Sequence, residues 1–251
     1  MSLLSMKDYY YQEKSIVDTY YNEQYEQHYA LDGIINPYKM FEDPNRARIV
    51  MLLKESNNYE NDKVTWHPLN LDPKGLYPTD TDGSKVWARN ICRSVHYIEM
   101  DFCESQWWEC IPKNDPNYTV SGFAYINVKK NDEGKGKTEN WDLNRYAIKD
   151  APYLRRQIIA CRPDLVFCCQ KGGTQLKRLE TILSQERKPI EGLDYAFLFD
   201  YNYQGFSQSL IALDWFHPSR NNISIYEMKS RLDNAYQVIR EVISSNRKLL
   251  L

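Results

Sequence analysis

A chain of 251 residues with 42% hydrophobic content is long enough to bury one sizeable core, and one domain with a decorated N-terminus is a better expectation than two. The net charge of −2 and a pI near 6.1 exclude a protein that coats nucleic acid through bulk charge, while leaving room for a local basic groove. No window approaches the roughly 18 apolar residues that span a bilayer, and Met1–Ser5 lacks the charged and apolar regions of a secretory leader, so a cytoplasmic protein with no membrane partner is expected.

Residues 1–45 are polar and rich in tyrosine (Tyr9, Tyr10, Tyr11, Tyr20, Tyr21, Tyr25, Tyr29), which predicts one or two helices packed as an extension on a main body of residues 46–251. Residues 47–53 (Ala-Arg-Ile-Val-Met-Leu-Leu) form a short continuous apolar run, the pattern of a strand buried on both faces. It ends in Lys54-Glu55-Ser56-Asn57-Asn58, polar residues at the carboxyl end of a strand, where open α/β sheets bind ligands. A loop rich in Pro, Asp and Asn follows over 59–84, then a helix over 85–100.

The second strand is predicted over 122–128, followed by a basic loop over 129–138. Asp150-Ala-Pro opens a helix whose buried face is Leu154, Ile158 and Ile159, and Pro163 stops it. A third strand over 164–169 runs into Gln170-Lys-Gly-Gly-Thr174 and a helix with Leu176, Leu179, Ile182 and Leu183 on one side. Such a glycine pair lets backbone N–H groups approach an anion, and a plain strand-to-helix turn is the alternative.

Strand candidates at 195–199 and 209–213 complete the set, and the last apolar run ends at His217-Pro218. Pro218 lacks a backbone donor and pushes His217 out of helical geometry, which sets the histidine on a loop after a strand. Ser224 with Glu227 forms a capping box ahead of a long helix carrying Ile225, Met228, Leu232, Tyr236, Ile239 and Ile243. The alternation predicts a three-layer α/β/α fold around a central, mainly parallel sheet of about four strands, with the polar stretches at one end of it.

Four stretches stand in order: Leu53-Lys-Glu-Ser-Asn57, Tyr125-Ile-Asn-Val-Lys129, residues 164–174, and Phe216-His-Pro-Ser-Arg220. This pattern resembles the uracil-DNA glycosylase superfamily over residues 46–242. The first stretch is similar to that family's water-activating motif, with Glu55 at the acidic position of the branch that carries an iron–sulfur cluster. Ala151-Pro-Tyr-Leu-Arg-Arg-Gln-Ile158 and Arg162-Pro-Asp-Leu-Val166 are similar to the same branch. Asn127 falls where the resemblance implies an asparagine that reads the uracil edge, and His217-Pro-Ser219 matches the histidine motif. Arg220-Asn221 resembles the Arg-Asn of the single-strand-selective branch, one residue closer. Where the cluster branch would carry cysteines, this chain has Lys130 and Asp150-Ala151, so no cluster is expected. Lys54 replaces the glycine usual before the acidic residue.

The residue chemistry fits cleavage of an N-glycosidic bond, which builds positive charge on the sugar and negative charge on the departing base. Glu55 can orient water and stabilise the cation, and His217 can donate to the base oxygen. Asn127 can present both a donor and an acceptor to a pyrimidine edge. Tyr59, Tyr77 and Trp87 are the candidates to stack on a flipped base. Ser56, Asn57, Lys129, Lys130, Ser219, Asn221 and the Lys171-Gly172-Gly173-Thr174 turn are candidate nucleic-acid contacts, with Arg220 as a polar wedge. Each key residue also has a structural reading: Glu55 pairing with Lys54, Asn127 satisfying backbone groups at a strand end, His217 as a turn residue.

Six cysteines (Cys92, Cys103, Cys110, Cys161, Cys168, Cys169) form no C-x-x-C pair, and four histidines (His28, His67, His96, His217) show no ligand spacing. Buried thiols, no metal and no cofactor are therefore expected. The leading expectation is a monomeric DNA glycosylase of base-excision repair acting on a deaminated or damaged base in DNA, single strands included. The alternative is a catalytically silent nucleic-acid or nucleotide-binding protein of the same fold.

Overall fold

The computed structural model describes residues 4–25, 29, 32–43, 46–55, 86–99, 101–102, 122–130, 139–170, 172–218 and 224–248. Among these residues seven helices and seven strands follow in chain order: α1 (Met6–Tyr25), β1 (Gly33–Ile34), α2 (Pro37–Glu42), β2 (Ile49–Glu55), α3 (Val86–Glu99), β3 (Phe123–Lys129), α4 (Asn140–Lys149), α5 (Ala151–Ala160), β4 (Leu165–Cys169), α6 (Thr174–Leu183), β5 (Lys188–Ile190), β6 (Leu193–Tyr203), β7 (Phe206–Trp215) and α7 (Ile225–Lys248). No helix among the described residues is long and apolar enough to cross a membrane.

All seven strands form one sheet in the order β1-β3-β2-β4-β7-β6-β5. The central β3, β2, β4 and β7 run parallel, with Ile49 opposite both Phe123 and Leu165, and Leu165 opposite Ile211. The flanks are antiparallel: β1 on β3, β6 on β7, and β5 on β6. The sheet is thus larger and more mixed than the roughly four-stranded, mainly parallel one expected. The two short strand candidates near the C-terminus are parts of one long hairpin. Its turn is Gln204-Gly205, with φ of 49° and 93°, and two successive left-handed residues match the right-handed twist of the strands they join.

Side chains alternate between two cores, as a sheet covered on both faces requires. Ile49, Met51, Leu53, Phe167, Leu213 and Trp215 pack with residues of α3 and α7. Val50, Leu52, Ile126, Val166 and Ala212 pack with residues of α2, α4, α5 and α6 and with Tyr10 of α1. Pro152 lies in the first turn of α5, and the helix ends at Cys161 before Arg162, which takes a left-handed φ of 47° ahead of Pro163. Ser224 Oγ accepts the Glu227 N–H at 3.3 Å, the forward half of the expected capping box.

The segment before Arg46 is built into the body. Tyr20 stacks on Tyr153 of α5 with ring centroids 3.5 Å apart, and Glu13 pairs with Arg156 at 2.7 Å. Tyr20 and Tyr25 each donate a hydroxyl hydrogen bond to the buried Asp150 at 2.8 Å. At the amino edge of the sheet, Asp164 accepts from Arg247 at 2.6 and 3.1 Å, from Asn246 at 2.8 Å and from the backbone N–H of Arg48 at 2.9 Å. One carboxylate so organises the ends of β2, β4 and α7.

Candidate functional site

The ends of the four parallel strands bring the predicted polar residues to one edge. Glu55 is the last residue of β2, in register with Lys129, and Asn127 of β3 lies in register with Leu53. β7 runs parallel to β4, so His217, two residues beyond Trp215, falls at the same carboxyl edge. Its turn is braced from α3, where Asn90 Nδ2 donates to the Pro218 carbonyl at 2.7 Å. Beneath it is a small cavity lined by Met51, Asn90, Ser94, Trp215, Phe216 and Pro218 among others. His217 itself is half-buried.

Asn127 is completely buried. Its backbone N–H donates to Asp32 Oδ2 at 2.6 Å and its Nδ2 approaches the same oxygen at 3.3 Å. Asp32 lies just before β1, which is hydrogen-bonded to β3, and its second oxygen accepts from Lys130 Nζ and from Gln157 Nε2 at 2.6 Å. Lys130 Nζ also donates to Gln157 Oε1 at 2.8 Å. Burial depresses the Lys130 ammonium pKa, and Asp32 opposes that shift. Asn127 Oδ1 is buried with no hydrogen-bond partner among the described residues. A buried acceptor left unmatched costs about 1–3 kcal/mol, a state that Asn127 Oδ1 shares with other buried polar atoms such as Tyr203 Oη and Asp214 Oδ1.

Gly33 makes the Asp32 corner possible. Its φ is +135°, and a Cβ there would stand 2.7 Å from the Tyr10 hydroxyl, which accepts the Ile34 N–H at 2.9 Å. Any side chain at Gly33 would therefore displace the segment that delivers Asp32.

Several expected nucleic-acid contacts have other tasks. Lys129 is 3% exposed, 3.4 Å from Asp142, with its ammonium over the Tyr146 ring. Lys130 is 1% exposed in the Asp32 pair. The two were expected to contact nucleic acid, yet both are buried cations with carboxylate partners, so neither offers its charge to a phosphate. The Gly172 and Gly173 N–H groups, expected to cradle a phosphate, both donate to Asp214 Oδ2, at 3.0 and 3.1 Å. The anion position at this turn is filled by the protein's own carboxylate. Thr174 starts α6 and is half-buried. Trp87 lies in the first turn of α3, placed by its backbone. Tyr59, Tyr77, Ser56, Asn57, Lys171, Ser219, Arg220 and Asn221 lie outside the described residues.

A second polar network closes the same edge between α4 and α6. Gln175 Nε2 donates to the Leu53 carbonyl at 2.8 Å, and Gln175 Oε1 accepts from Arg178 at 2.6 Å. Arg178 reaches on to Gln170 Oε1 and Asn144 Oδ1, each at 2.9 Å. Burial lowers the Arg178 pKa to about 10. This network fixes the end of β2 next to Glu55. Among the described residues no three His, Cys, Asp or Glu side chains converge as a metal ion would require.

Comparison with protein-family models, with curated proteins and with solved structures returns no match. The site is therefore read from its own chemistry. Asp32 and Gln157 are the residues that the sequence does not reveal: the contacts that involve them with Asn127 and Lys130 span 95, 98 and 27 positions. The pairing of β1 with β3 brings Asp32 to Asn127 and Lys130, and α5 carries Gln157 to the same place.

Proposed function

We propose that the protein is a DNA glycosylase-like hydrolase that cleaves the N-glycosidic bond of a deaminated or damaged base. The observation that carries this reading is the gathering of Asn127, Glu55 and His217 at one edge of the sheet, where Asn127 Oδ1 is buried with no hydrogen-bond partner among the described residues. The four stretches that resemble the uracil-DNA glycosylase superfamily stand on β2, β3, β4 and the turn after β7. These are the four strands that run parallel and adjacent.

In this reading a base leaves the stack and enters the edge of the sheet, where Asn127 takes its polar edge. Glu55 orients the attacking water and stabilises the positive charge that builds on the sugar. His217 hydrogen-bonds the base oxygen as the C–N bond breaks and its electron pair passes to the base. Water supplies the hydroxyl to the sugar carbon, and its proton ends on the departing base or the solvent.

A second reading, a base- or nucleotide-binding protein that does not hydrolyse, is favoured by one observation. Gly172, Gly173, Lys129 and Lys130 are engaged internally, which removes four of the expected nucleic-acid contacts. One experiment separates the two: the protein is incubated with oligonucleotides each carrying one modified base, and free base is measured. Release from at least one, lost in Glu55→Gln, supports the hydrolase. Binding of a free base or nucleotide, with no release from any oligonucleotide, supports the binding protein.

A further inference from the structure

We propose that the outward face of α4 is a docking strip for single-stranded DNA, with Trp141 as a stacking platform for a base and Arg145 and Lys149 as phosphate contacts. The choice of DNA as the partner rests on the glycosylase-like reading, and the strip gives the strand a path beside that site.

α4 presents two large apolar side chains to solvent on one face. Trp141 is 68% exposed and Ile148 is 67% exposed. They stand seven residues apart, two helical turns or about 10 Å, with Arg145 between them. The Arg145 guanidinium lies 5.9 Å from the centre of the Trp141 ring, near the outer limit of a cation–π contact, so the indole stays mostly open. Lys149 continues the face, with its ammonium 4.8 Å from the centre of the Tyr25 ring.

This face is positive in a chain whose net charge is −2. From Asn140 to Lys149 the exposed charges are Arg145 and Lys149, since Asp142 is buried and is matched by Lys129 at 3.4 Å as well as by Arg145 at 2.9 Å. Glu139, exposed at the head of the helix, is offset from behind by Arg178. That buried guanidinium has only neutral acceptors among the described residues: Asn140, Asn144, Gln170 and Gln175. An open aromatic ring among cations is the pattern that holds single strands, with bases on the rings and phosphates on the charges. A protein partner would call for a contiguous apolar patch, whereas a guanidinium separates Trp141 from Ile148.

The Arg178 network also sets the strip beside the candidate site. Asn140, the residue before Trp141, accepts from Arg178 at 3.2 Å and from Gln170 at 3.0 Å. Arg178 donates to Gln175, and Gln175 donates to the Leu53 carbonyl at 2.8 Å. Three hydrogen bonds thus link the support of the indole to β2, two residues before Glu55. A strand with one nucleotide at the carboxyl edge of the sheet then passes over α4.

The test is affinity for a labelled, unmodified oligo(dT) of about 15 nucleotides, which carries no base to cleave. Binding is read by fluorescence anisotropy at several salt concentrations, with melting temperature recorded for each variant. Trp141→Ala is expected to weaken binding about tenfold at unchanged salt slope, and Trp141→Phe to keep most of the affinity. Arg145→Gln combined with Lys149→Gln is expected to weaken binding and to lower the salt slope by about 1.4, the value for two phosphate contacts on a single strand. Melting temperatures should not move, since all three side chains are exposed. No measurable affinity in the wild type, or affinity unchanged in Trp141→Ala and in the double variant, overturns the strip. Self-association of the wild type that is lost in Trp141→Ala, with oligo(dT) affinity unchanged, overturns it in favour of a second copy of the chain. Release of free base from modified oligonucleotides is measured separately. Variant-sensitive oligo(dT) binding without release leaves the strip standing and removes the hydrolase, whereas release with variant-insensitive binding removes the strip alone.

Discussion

Asp214 Oδ2 accepts the backbone N–H of Gly173 at 3.1 Å and that of Gly172 at 3.0 Å, so a strand carboxylate fills the anion-binding turn at the start of α6. Gly173 has a φ of 73°, and this left-handed geometry converges the two N–H groups on one point. The turn has the shape that recognises phosphate and is spent on tying α6 to β7. Asp214 lies three residues before His217, so the tie also steadies the strand from which the histidine turn departs.

Asp214→Ala removes the only acceptor these N–H groups share among the described residues. The expected loss is about 1–3 kcal/mol, read as a lower urea midpoint at unchanged slope. Asp214→Asn retains an acceptor and should lose less than half as much. Equal losses in the two would mean that the carboxylate's charge, not its acceptor geometry, holds the turn.

Glu55→Gln and His217→Ala are each expected to slow base release by about a hundredfold or more, the range for a lost acid–base or oxyanion-type contact. Melting temperatures should stay close to the wild type, since Glu55 ends a strand and His217 follows one. Variants as active as the wild type would mean that other groups carry the reaction.

Lys130→Met leaves Asp32 buried without its cation, which is expected to cost about 3–5 kcal/mol. Any DNA affinity of the remaining folded protein should keep its dependence on salt, because Lys130 contributes no exposed charge. A salt slope reduced by about one would restore Lys130 as a phosphate contact, and the slope is measured by titration at several salt concentrations.

The tyrosines predict a sharp alkaline transition. Burial pushes the hydroxyls of Tyr10, Tyr21 and Tyr201 well above the ordinary tyrosine value near 10. The folded protein then keeps protons that the unfolded chain releases, so their contribution is intact below about pH 10 and falls as pH rises further. Each costs about 1.4 kcal/mol per pH unit, so three together cost about 4, and the depressed Lys130 offsets about one such increment while it titrates. Of the twenty tyrosines, the share of tyrosinate absorbance that belongs to these three should appear only as far-UV circular dichroism is lost, above pH 10. Ionisation of these tyrosines ahead of any loss of structure would contradict their burial.

Much of the parallel core is legible in the sequence because continuous apolar runs such as Ile49–Leu53 have no other stable place than a sheet covered on both faces. The capping serine and the Pro163 stop are local signals and are equally plain. The antiparallel hairpin is not: residues 200–209 are polar and aromatic in alternation, and read as loop until Gln204-Gly205 is recognised as a turn. Lys129 and Lys130 look like a solvated run because their partners, Asp142 and Asp32, stand 13 and 98 residues away in the chain. The glycine turn likewise shows its shape in sequence, but not that a carboxylate 41 and 42 residues on has taken it.

The two open margins of the sheet are stubs, β1 with two residues and β5 with three. At the two stubs themselves a neighbouring chain finds no long row of backbone donors and acceptors to pair with. That protection is unequal. β5 is guarded by Pro189 within it, whereas β3 is covered, among the described residues, by Gly33, Ile34 and the Ile35 N–H that bonds the Phe123 carbonyl. Trimming the chain at the boundary that the sequence suggests, before Arg46, would uncover the seven-residue β3 and take Asp32 with it. The same cut would leave the buried Lys130 without its carboxylate and the Asn127 N–H without its acceptor, so lost stability and a tendency to aggregate would arrive together.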